Sequence, residues 1–189
     1  ALQQGFAFVG KGVEDFKGRS WHTYNWPHEH VDLRDQRVAI IGTGATAIQV
    51  IGEIADKVGE LTVFQRRPNW VAPLNNSEIS AEQMTEIRDR YDEIFETCAR
   101  TPGGFEHEPD RRGFYEVTRE ERYELWDRLY DEPGFSIRLS NFREIFTDEE
   151  ANAELSEYVA ERIRGRVHDP VVAEKLVPKD HGFGVQRVP

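Results

Sequence analysis

RVAIIGTGATA, residues 37–47, is the stretch that decides the fold. Residues 38–41 are consecutive apolar positions, the pattern of a parallel strand that is buried on both faces. This run leads directly into the turn GTGATA, after which apolar residues recur on one side of a helix that ends near Gly59. A second apolar run follows at residues 61–64. The order strand, glycine-rich turn, helix and strand predicts a βαβ unit.

The turn has the Gly-x-Gly-x-x-Ala spacing that places a dinucleotide at the start of a helix. The first glycine permits the tight turn, the second lets the backbone approach a pyrophosphate, and the small alanine allows helix and strand to pack closely. Exposed N–H groups at the start of the helix face the phosphates. We therefore predict that the whole turn binds the cofactor: Gly42, Thr43, Gly44, Ala45, Thr46 and Ala47.

The residues after the second strand indicate which dinucleotide is bound. A site for NAD has Asp or Glu about 20 residues after the glycines, where it binds the ribose hydroxyls. Here Arg66 and Arg67 occupy that place. Two guanidinium groups and no carboxylate favour the 2′-phosphate of NADPH. The alternative is that both are solvated surface arginines.

The charge distribution divides the chain. The net charge is -11, which disfavours a nucleic-acid partner because phosphate binding needs clustered Lys and Arg. Residues 77–174 carry 26 Asp and Glu against 13 Arg and no Lys, whereas the rest of the chain is close to neutral. This block has helical periodicity. The predicted fold class is therefore α/β, a Rossmann-like NADPH-binding domain with an inserted all-helical subdomain.

Helix starts within the acidic block are marked by capping boxes. Three can be read from the sequence: Ser80 with Gln83, Thr118 with Glu121, and Thr147 with Glu150. The first precedes a single apolar stripe from Met84 to Cys98, which places Cys98 in the core. Asp169-Pro170 predicts a last short helix with proline in its first position.

The sequence predicts no disulfide, no membrane-spanning helix and no metal site. One Cys in 189 residues excludes an internal disulfide and predicts a reducing compartment, the cytoplasm. No apolar run reaches the length of a membrane-spanning helix, so no membrane partner is expected. No metal site is predicted, because the spacing of the histidines shows no ligand pattern: His28, His30, His107 and His168.

The aromatic segment FKGRSWHTYNWP, residues 16–27, carries a family resemblance. It matches the Phe-x-Gly-x-x-x-His-x-x-x-Trp-Pro fingerprint of the Baeyer–Villiger monooxygenases at every defined position: Phe16, Gly18, His22, Trp26 and Pro27. The similarity extends through the glycine-rich turn, the FQRRP segment and the helical block into HGFGVQR, residues 181–187. The chain resembles this family over essentially its whole length.

The resemblance implies FAD and NADPH as cofactors, and O2 and a small-molecule ketone as substrates. In that family an oxygen atom is inserted next to the ketone carbonyl, giving an ester or a lactone. His22 looks like the family histidine at the junction of the nucleotide domains, and a purely structural role for it is equally open. Arg187 resembles the family's active-site arginine, whose fixed positive charge would stabilise negative charge on oxygen.

Two positions depart from the family pattern. The family commonly has Thr after the first arginine and Lys before the active-site arginine, both near the 2′-phosphate, where this chain has Arg67 and Gln186. We expect the additional arginine to compensate for the missing lysine, which keeps Gln186 among the candidate cofactor-binding residues.

The resemblance also implies a domain order. Residues 1–36 would lead from an FAD domain, 37–76 form the NADPH-binding βαβ unit, 77–174 the helical insertion, and 175–189 the return to the interface of the two cofactors. The FAD-binding Gly-x-Gly-x-x-Gly is not in this sequence, so the chain is expected to be an inactive fragment that leaves FAD mostly to other segments. Two alternatives stay open: a flavin monooxygenase that oxidises N or S, and a non-catalytic nucleotide-binding module.

Overall fold

The computed structural model describes residues 12–184. It is a mixed α/β protein with a small sheet and mostly helical elements. The chain divides into two compact units, of which the first ends at Arg66 and the second begins at Arg67.

The first unit contains a parallel βαβ arrangement. Strand β1 (Arg37–Ile41) is followed by helix α1 (Ala45–Ile54) and strand β2 (Glu60–Phe64). The two strands pair in parallel, with Arg37 opposite Glu60 and Ile41 opposite Phe64. Parallel neighbours need a crossover connection, which α1 provides. The predicted elements are confirmed to within a residue at the strands, and the helix ends five residues before Gly59.

The prediction that the first strand is buried on both faces is wrong. Residues alternate between exposed and half-buried along β1, and Ile41 is 65% exposed. On β2, Phe64 is 57% exposed. The apolar run is the pattern of a central strand, whereas the sheet formed within the described residues has only two strands. Few neighbours therefore cover these side chains.

The second unit is helical. It begins with an extended segment that includes the buried Trp70. Its described residues form six α-helices: α2 (Ala81–Asp89), α3 (Tyr91–Arg100), α4 (Arg119–Asp131), α5 (Ser136–Leu139), α6 (Glu149–Arg166) and α7 (Pro170–Leu176). Short 3-10 helices lie at Phe114–Glu116 and Arg143–Phe146.

The core of the second unit lies between α4, α6 and the segments that connect them. Its least exposed side chains are apolar: Trp126, Leu129, Phe142, Ile145, Leu155 and Val159. The Tyr158 ring lies 5.4 Å from Trp126 and 6.1 Å from Tyr130, between centroids. Asn141 is buried among them, and its Oδ1 accepts hydrogen bonds from Trp126 Nε1 at 2.9 Å and from Phe142 N at 2.8 Å. α4 and α6 thus each contribute one apolar face to this core.

Two of the three predicted capping boxes are confirmed. Ser80 caps α2 together with Gln83, and Thr118 caps α4 together with Glu121. The third prediction is wrong by one residue: α6 is capped by Asp148, whose side chain accepts a hydrogen bond from Ala151 N at 2.9 Å. Tyr115 Oη donates to the same carboxylate oxygen at 2.8 Å, so a contact distant in sequence supports Asp148 as the cap.

The predicted single stripe from Met84 to Cys98 is divided between two helices. The helical path is interrupted at Arg90, which is both the last cap of α2 and the first cap of α3. The Arg90 side chain forms an ion pair with Glu93. Neither helix has a buried residue among those described, and Cys98 is half-buried. The prediction that Cys98 fills the core is therefore wrong.

Candidate functional site

The glycine-rich turn joins β1 to α1 in the first unit. Gly42 has a φ of 101°, which only glycine adopts readily, and its N–H donates to the Phe64 carbonyl at 2.8 Å. The turn is thereby fixed to the end of β2. A Cβ atom built on Gly44 would meet no atom within 4 Å. The space beside the second glycine is open to an approaching group.

The start of α1 offers backbone donors without a side-chain cap. The N-cap residue is Gly44, which has no side chain that could accept hydrogen bonds from the first N–H groups of the helix. The Gly44 carbonyl oxygen accepts a hydrogen bond from Ile48 N at 3.0 Å. The first turn contains no acidic residue. A helix start of this kind attracts an anion through its N–H groups and its dipole. The geometry fits a dinucleotide pyrophosphate.

The two arginines after β2 fall in different units. Arg66 is exposed at the end of the first unit. Arg67, in the second, forms an ion pair between its Nη1 and Asp180 Oδ2 at 3.1 Å, with both side chains about half exposed. The carboxyl of Asp180 hydrogen-bonds His181 at 2.7 Å, and this bond together with Arg67 lowers the pKa of Asp180 below its usual value. No local motif marks this acidic partner, which lies 113 positions further along the chain.

His22 lies in an exposed part of the first unit. It is the N-cap of the 3-10 helix Thr23–Asn25, and its Nδ1 accepts a hydrogen bond from Tyr24 N at 3.1 Å. Trp21 and Trp26 pack edge to face near it, with ring centroids 5.4 Å apart. The His22 ring therefore caps this short helix.

Arg187 and Gln186 lie outside the described residues. The chain that leads to them is defined through Gly184, and Phe183 is fully buried. These two site residues, like the others predicted from the sequence, remain predictions.

The second unit contains an open cavity of about 620 Å³ that sequence reasoning missed. Polar and aromatic side chains line it: Trp70, Phe146, Asn152, Ser156, Lys179 and His181. The His181 side chain is 6% exposed, and its Nε2 is buried without a hydrogen-bond partner in the part of the chain that is described. Trp70 precedes His181 by 111 positions, and the other lining residues come from several elements between residues 145 and 182, so no local motif marks the cavity.

Within residues 12–184, no group of three or more His, Cys, Asp or Glu side chains is arranged to hold a metal ion. None of the helices described there has both the length and the apolar content needed to cross a bilayer.

Comparison with known proteins gives several matches over almost the whole chain. The chain is 46% identical over 185 residues to 2-oxo-Delta(3)-4,5,5-trimethylcyclopentenylacetyl-CoA monooxygenase of Pseudomonas putida, covering 95% of this chain and 34% of that protein. It is 38% identical to acetone monooxygenase (methyl acetate-forming) of Gordonia sp., covering 94% and 33%. It is 37% identical to a Baeyer-Villiger monooxygenase of Pseudooceanicola batsensis, covering 90% and 31%.

Solved structures agree with the sequence matches. The crystal structure of OTEMO in complex with FAD and NADP superimposes with a TM-score of 0.92 at 46% identity, covering 95% of this chain and 34% of that one. No protein-family model matches the chain. The chain spans about a third of the length of these relatives.

Proposed function

We propose that this chain, which is homologous to Baeyer–Villiger monooxygenases over at least 90% of its length, forms the NADPH-binding part of such an enzyme. The reaction would insert one oxygen atom of O2 next to a ketone carbonyl and give an ester or a lactone. The similarity of nearly the whole chain to these monooxygenases carries the proposal. The acetone monooxygenase of Gordonia forms methyl acetate, and methyl acetate is an ester.

A Rossmann-like domain at residues 37–76, interrupted by a helical insertion at 77–174, is the architecture we propose. The parallel pairing of β1 with β2 across α1 supports the first part. The helical content of residues 81–176 supports the second. Residues 1–36 and 175–189 would connect these parts to the FAD-binding portion of the enzyme.

The glycine-rich turn would hold the pyrophosphate of NADPH. The N–H groups of Ala45, Thr46 and Ala47 begin α1 and would donate to the phosphate oxygens. The open space at Gly44 supports close approach of the backbone to the phosphate. When bound, NADPH would supply the hydride and FAD the oxygen chemistry.

Arg66 and Arg67 would recognise the 2′-phosphate, with Gln186 in place of a lysine. The exposed ion pair between Arg67 and Asp180 is weak enough to be exchanged, because solvated pairs contribute no more than about 1 kcal/mol. A phosphate dianion is a stronger partner for a guanidinium than a single carboxylate. Arg67 could thus pass from Asp180 to the cofactor at little cost.

Arg187 is the proposed catalytic residue, and its guanidinium would stabilise negative charge that develops on oxygen during the transfer. His22 would act at the junction that residues 16–27 form. Its hydrogen bond to Tyr24 N supports a role in shaping that segment.

Assay of the full-length protein with a panel of ketones tests the proposed function. We expect ketone-dependent oxidation of NADPH, with an ester or lactone detected as product. NADPH consumption that yields only hydrogen peroxide with every ketone would contradict the proposal. Oxidation of sulfides or amines without ester formation would favour an N- or S-oxygenating enzyme instead.

The variant Gly44→Ala tests the cofactor site. Because its Cβ meets no atom within 4 Å and the φ of -75° is ordinary, the fold should be kept, at a cost of no more than about 1 kcal/mol for Ala in place of Gly at the N-cap. We expect NADPH affinity to fall by at least about tenfold, since the methyl group occupies the place of the phosphate. Gly52→Ala is the matched control: it also lies in open space, on the same helix, and should retain affinity. Equal affinities in both variants would contradict the site.

The variant Arg67→Thr tests cofactor choice. If Arg67 binds the 2′-phosphate, the preference for NADPH over NADH should fall by about tenfold or more, as expected for loss of a charge-assisted contact. The exposed Arg37→Thr on β1 is the control. An unchanged preference in Arg67→Thr would show that Arg67 does not compensate for the missing lysine.

A further inference from the structure

Residues 180–184, which we call the anchored loop, have no regular secondary structure, yet side chains of the second unit hold their backbone. Trp70 Nε1 donates to the His181 carbonyl at 2.9 Å. Phe183 N donates to Ser156 Oγ at 2.9 Å, and Asn152 Nδ2 donates to the Phe183 carbonyl at 2.9 Å. Both polar groups of the Phe183 backbone are thus bound by side chains of α6.

Asn152 and Ser156 form one unit on α6. They are four residues apart, which places them on the same face of the helix, and Ser156 Oγ donates to Asn152 Oδ1 at 3.3 Å. Asn152 Nδ2 also donates to the Ile145 carbonyl at 2.7 Å. The amide of Asn152 is therefore fixed from two sides before it meets the loop.

The loop approaches Asn152 so closely that only glycine fits. A Cβ atom on Gly182 would lie 1.8 Å from Asn152 Oδ1. Such a contact requires the loop backbone to pass directly over the amide. The neighbouring Phe183 ring is fully buried and lies 6.4 Å from the Trp70 ring, between centroids.

Apolar burial alone would not require this arrangement. The hydrophobic effect is non-directional, so the buried Phe183 ring would hold the loop against the core without defining the orientation of its peptide groups. Hydrogen bonds have strict angular preferences. Bonds to both the N–H and the carbonyl of Phe183 fix the orientation of the peptide groups on either side of it.

We propose that Asn152 and Ser156 are positioning residues, which fix through the anchored loop the chain that leads to Arg187. The inference rests on the proposed function, because it gives Arg187 its catalytic role. Arg187 follows Gly184 by three residues, and three residues of chain span at most about 10 Å. Few backbone bonds therefore separate the anchored Phe183 from Arg187 in the sequence.

The experiment compares three variants of the full-length enzyme. Ser156→Ala removes the acceptor of Phe183 N, and Ser156→Thr retains a hydroxyl. Tyr158→Phe is the matched control, because it removes a hydrogen bond of the same helix, from Tyr158 Oη to Asp127 Oδ1, that does not involve the loop. Each variant is assayed for kcat and KM with NADPH and ketone, for ester formed per NADPH, for Tm, and for hydrogen exchange of the segment 178–189.

In Ser156→Ala we expect faster exchange at Phe183, at least about tenfold lower kcat and less ester per NADPH, since small displacements of a catalytic group are costly. The KM for NADPH should stay within twofold. Ser156→Thr should recover most of the kcat, and Tyr158→Phe should keep it within twofold.

Two results would overturn the inference. One is a rate of hydrogen exchange at Phe183 that does not change in Ser156→Ala. The other is that Ser156→Ala loses no more kcat than Tyr158→Phe does when the two variants have the same change in Tm. If the unaltered enzyme forms no ester from any ketone, the proposed function fails. Hydrogen exchange then still decides whether Ser156 anchors the loop.

Discussion

The two units of the chain differ in how far they bury their apolar side chains. Among the described residues of the first unit, only Ile54 is buried, and the apolar side chains of Ile41, Val63 and Phe64 are exposed. The second unit has a continuous core of aromatic and aliphatic side chains around Trp126 and Leu155. Both units have regular elements, so the difference lies in packing.

The difference separates local structure from independent stability. A two-stranded sheet and one helix form in the first unit because the glycine-rich turn and the apolar runs specify them locally. Isolated two-stranded arrangements are only marginally stable in water, because burial supplies most of the stabilisation. The second unit should therefore hold most of the folding free energy of this chain.

The variant Trp126→Ala should have the largest effect. Trp126 is fully buried and donates to Asn141 Oδ1, so its removal leaves a cavity and takes away one of the two hydrogen bonds that this oxygen accepts. We expect a loss of about 3–5 kcal/mol in the free energy of unfolding, measured by urea denaturation of the chain. Ile41→Ala in the first unit is the counterpart. Ile41 is 65% exposed, so this change should cost less than about 0.5 kcal/mol. Similar losses in the two variants would refute the contrast.

The variant Asn141→Ala comes next. It removes the acceptor that Trp126 Nε1 and Phe142 N share in the buried core. Leaving buried donors without a partner costs about 1–3 kcal/mol, which urea denaturation would detect. Asn25→Ala, at an exposed position of the first unit, should stay within about 0.5 kcal/mol of the unaltered chain. An Asn141 variant as stable as the Asn25 variant would show that the core tolerates unpaired donors.

The sequence predicted those features that depend on near neighbours in the chain. The strands, the glycine-rich turn and the caps at Ser80 and Thr118 each follow from a few adjacent residues, and the structure confirms them. The choice between Thr147 and Asp148 did not follow, because both can cap a helix. A contact from Tyr115, 33 residues away, contributes to the cap that forms.

Features built from distant segments could not be predicted. The ion pair of Arg67 with Asp180 and the hydrogen bond of Trp70 to the anchored loop join residues more than 100 positions apart. No periodicity or motif records such a pairing. Exposure of the strands was missed for a related reason: an apolar run indicates that a strand can be buried, and burial also requires neighbouring elements.

Substitutions at the helix N-caps of the two units should change stability by smaller amounts. Thr118→Ala should cost about 1 kcal/mol, because Glu121 N loses its side-chain acceptor at the start of α4. Thr118→Ser should retain the cap and the stability. In the first unit the N-cap of α1 is Gly44, so Gly44→Ser should add only a few tenths of a kcal/mol. Thermal unfolding of the three variants measures these changes, and a neutral Thr118→Ala would contradict the capping assignment.

The smallest effect concerns a contact that is found in both units, between an aspartate and the arginine two residues later. In Asp32-Leu-Arg34 and Asp110-Arg-Arg112, the aspartate accepts hydrogen bonds from the backbone and side chain of the arginine two residues later. The hydrogen bond from the arginine side chain is the main cause that lowers the pKa of each carboxyl. The Asp110 side chain is 15% exposed and that of Asp32 is 48% exposed.

Because the pKa of Asp110 is lower in the folded chain than in the unfolded chain, where it is near 3.8, the contact with Arg112 stabilises the fold fully above that pH. The stabilisation is lost as the pH falls through the lower pKa of the folded state. Asp110→Asn should therefore cost up to about 1 kcal/mol at pH 7, and the gap to the unaltered chain should narrow below pH 4. Asp32→Asn should show no measurable change at either pH, because solvent competes for its more exposed partner. Urea denaturation at pH 7 and pH 3 distinguishes the two. An equal response of both variants would mean that burial in the second unit does not strengthen this contact, and the contrast between the units would then be confined to apolar packing.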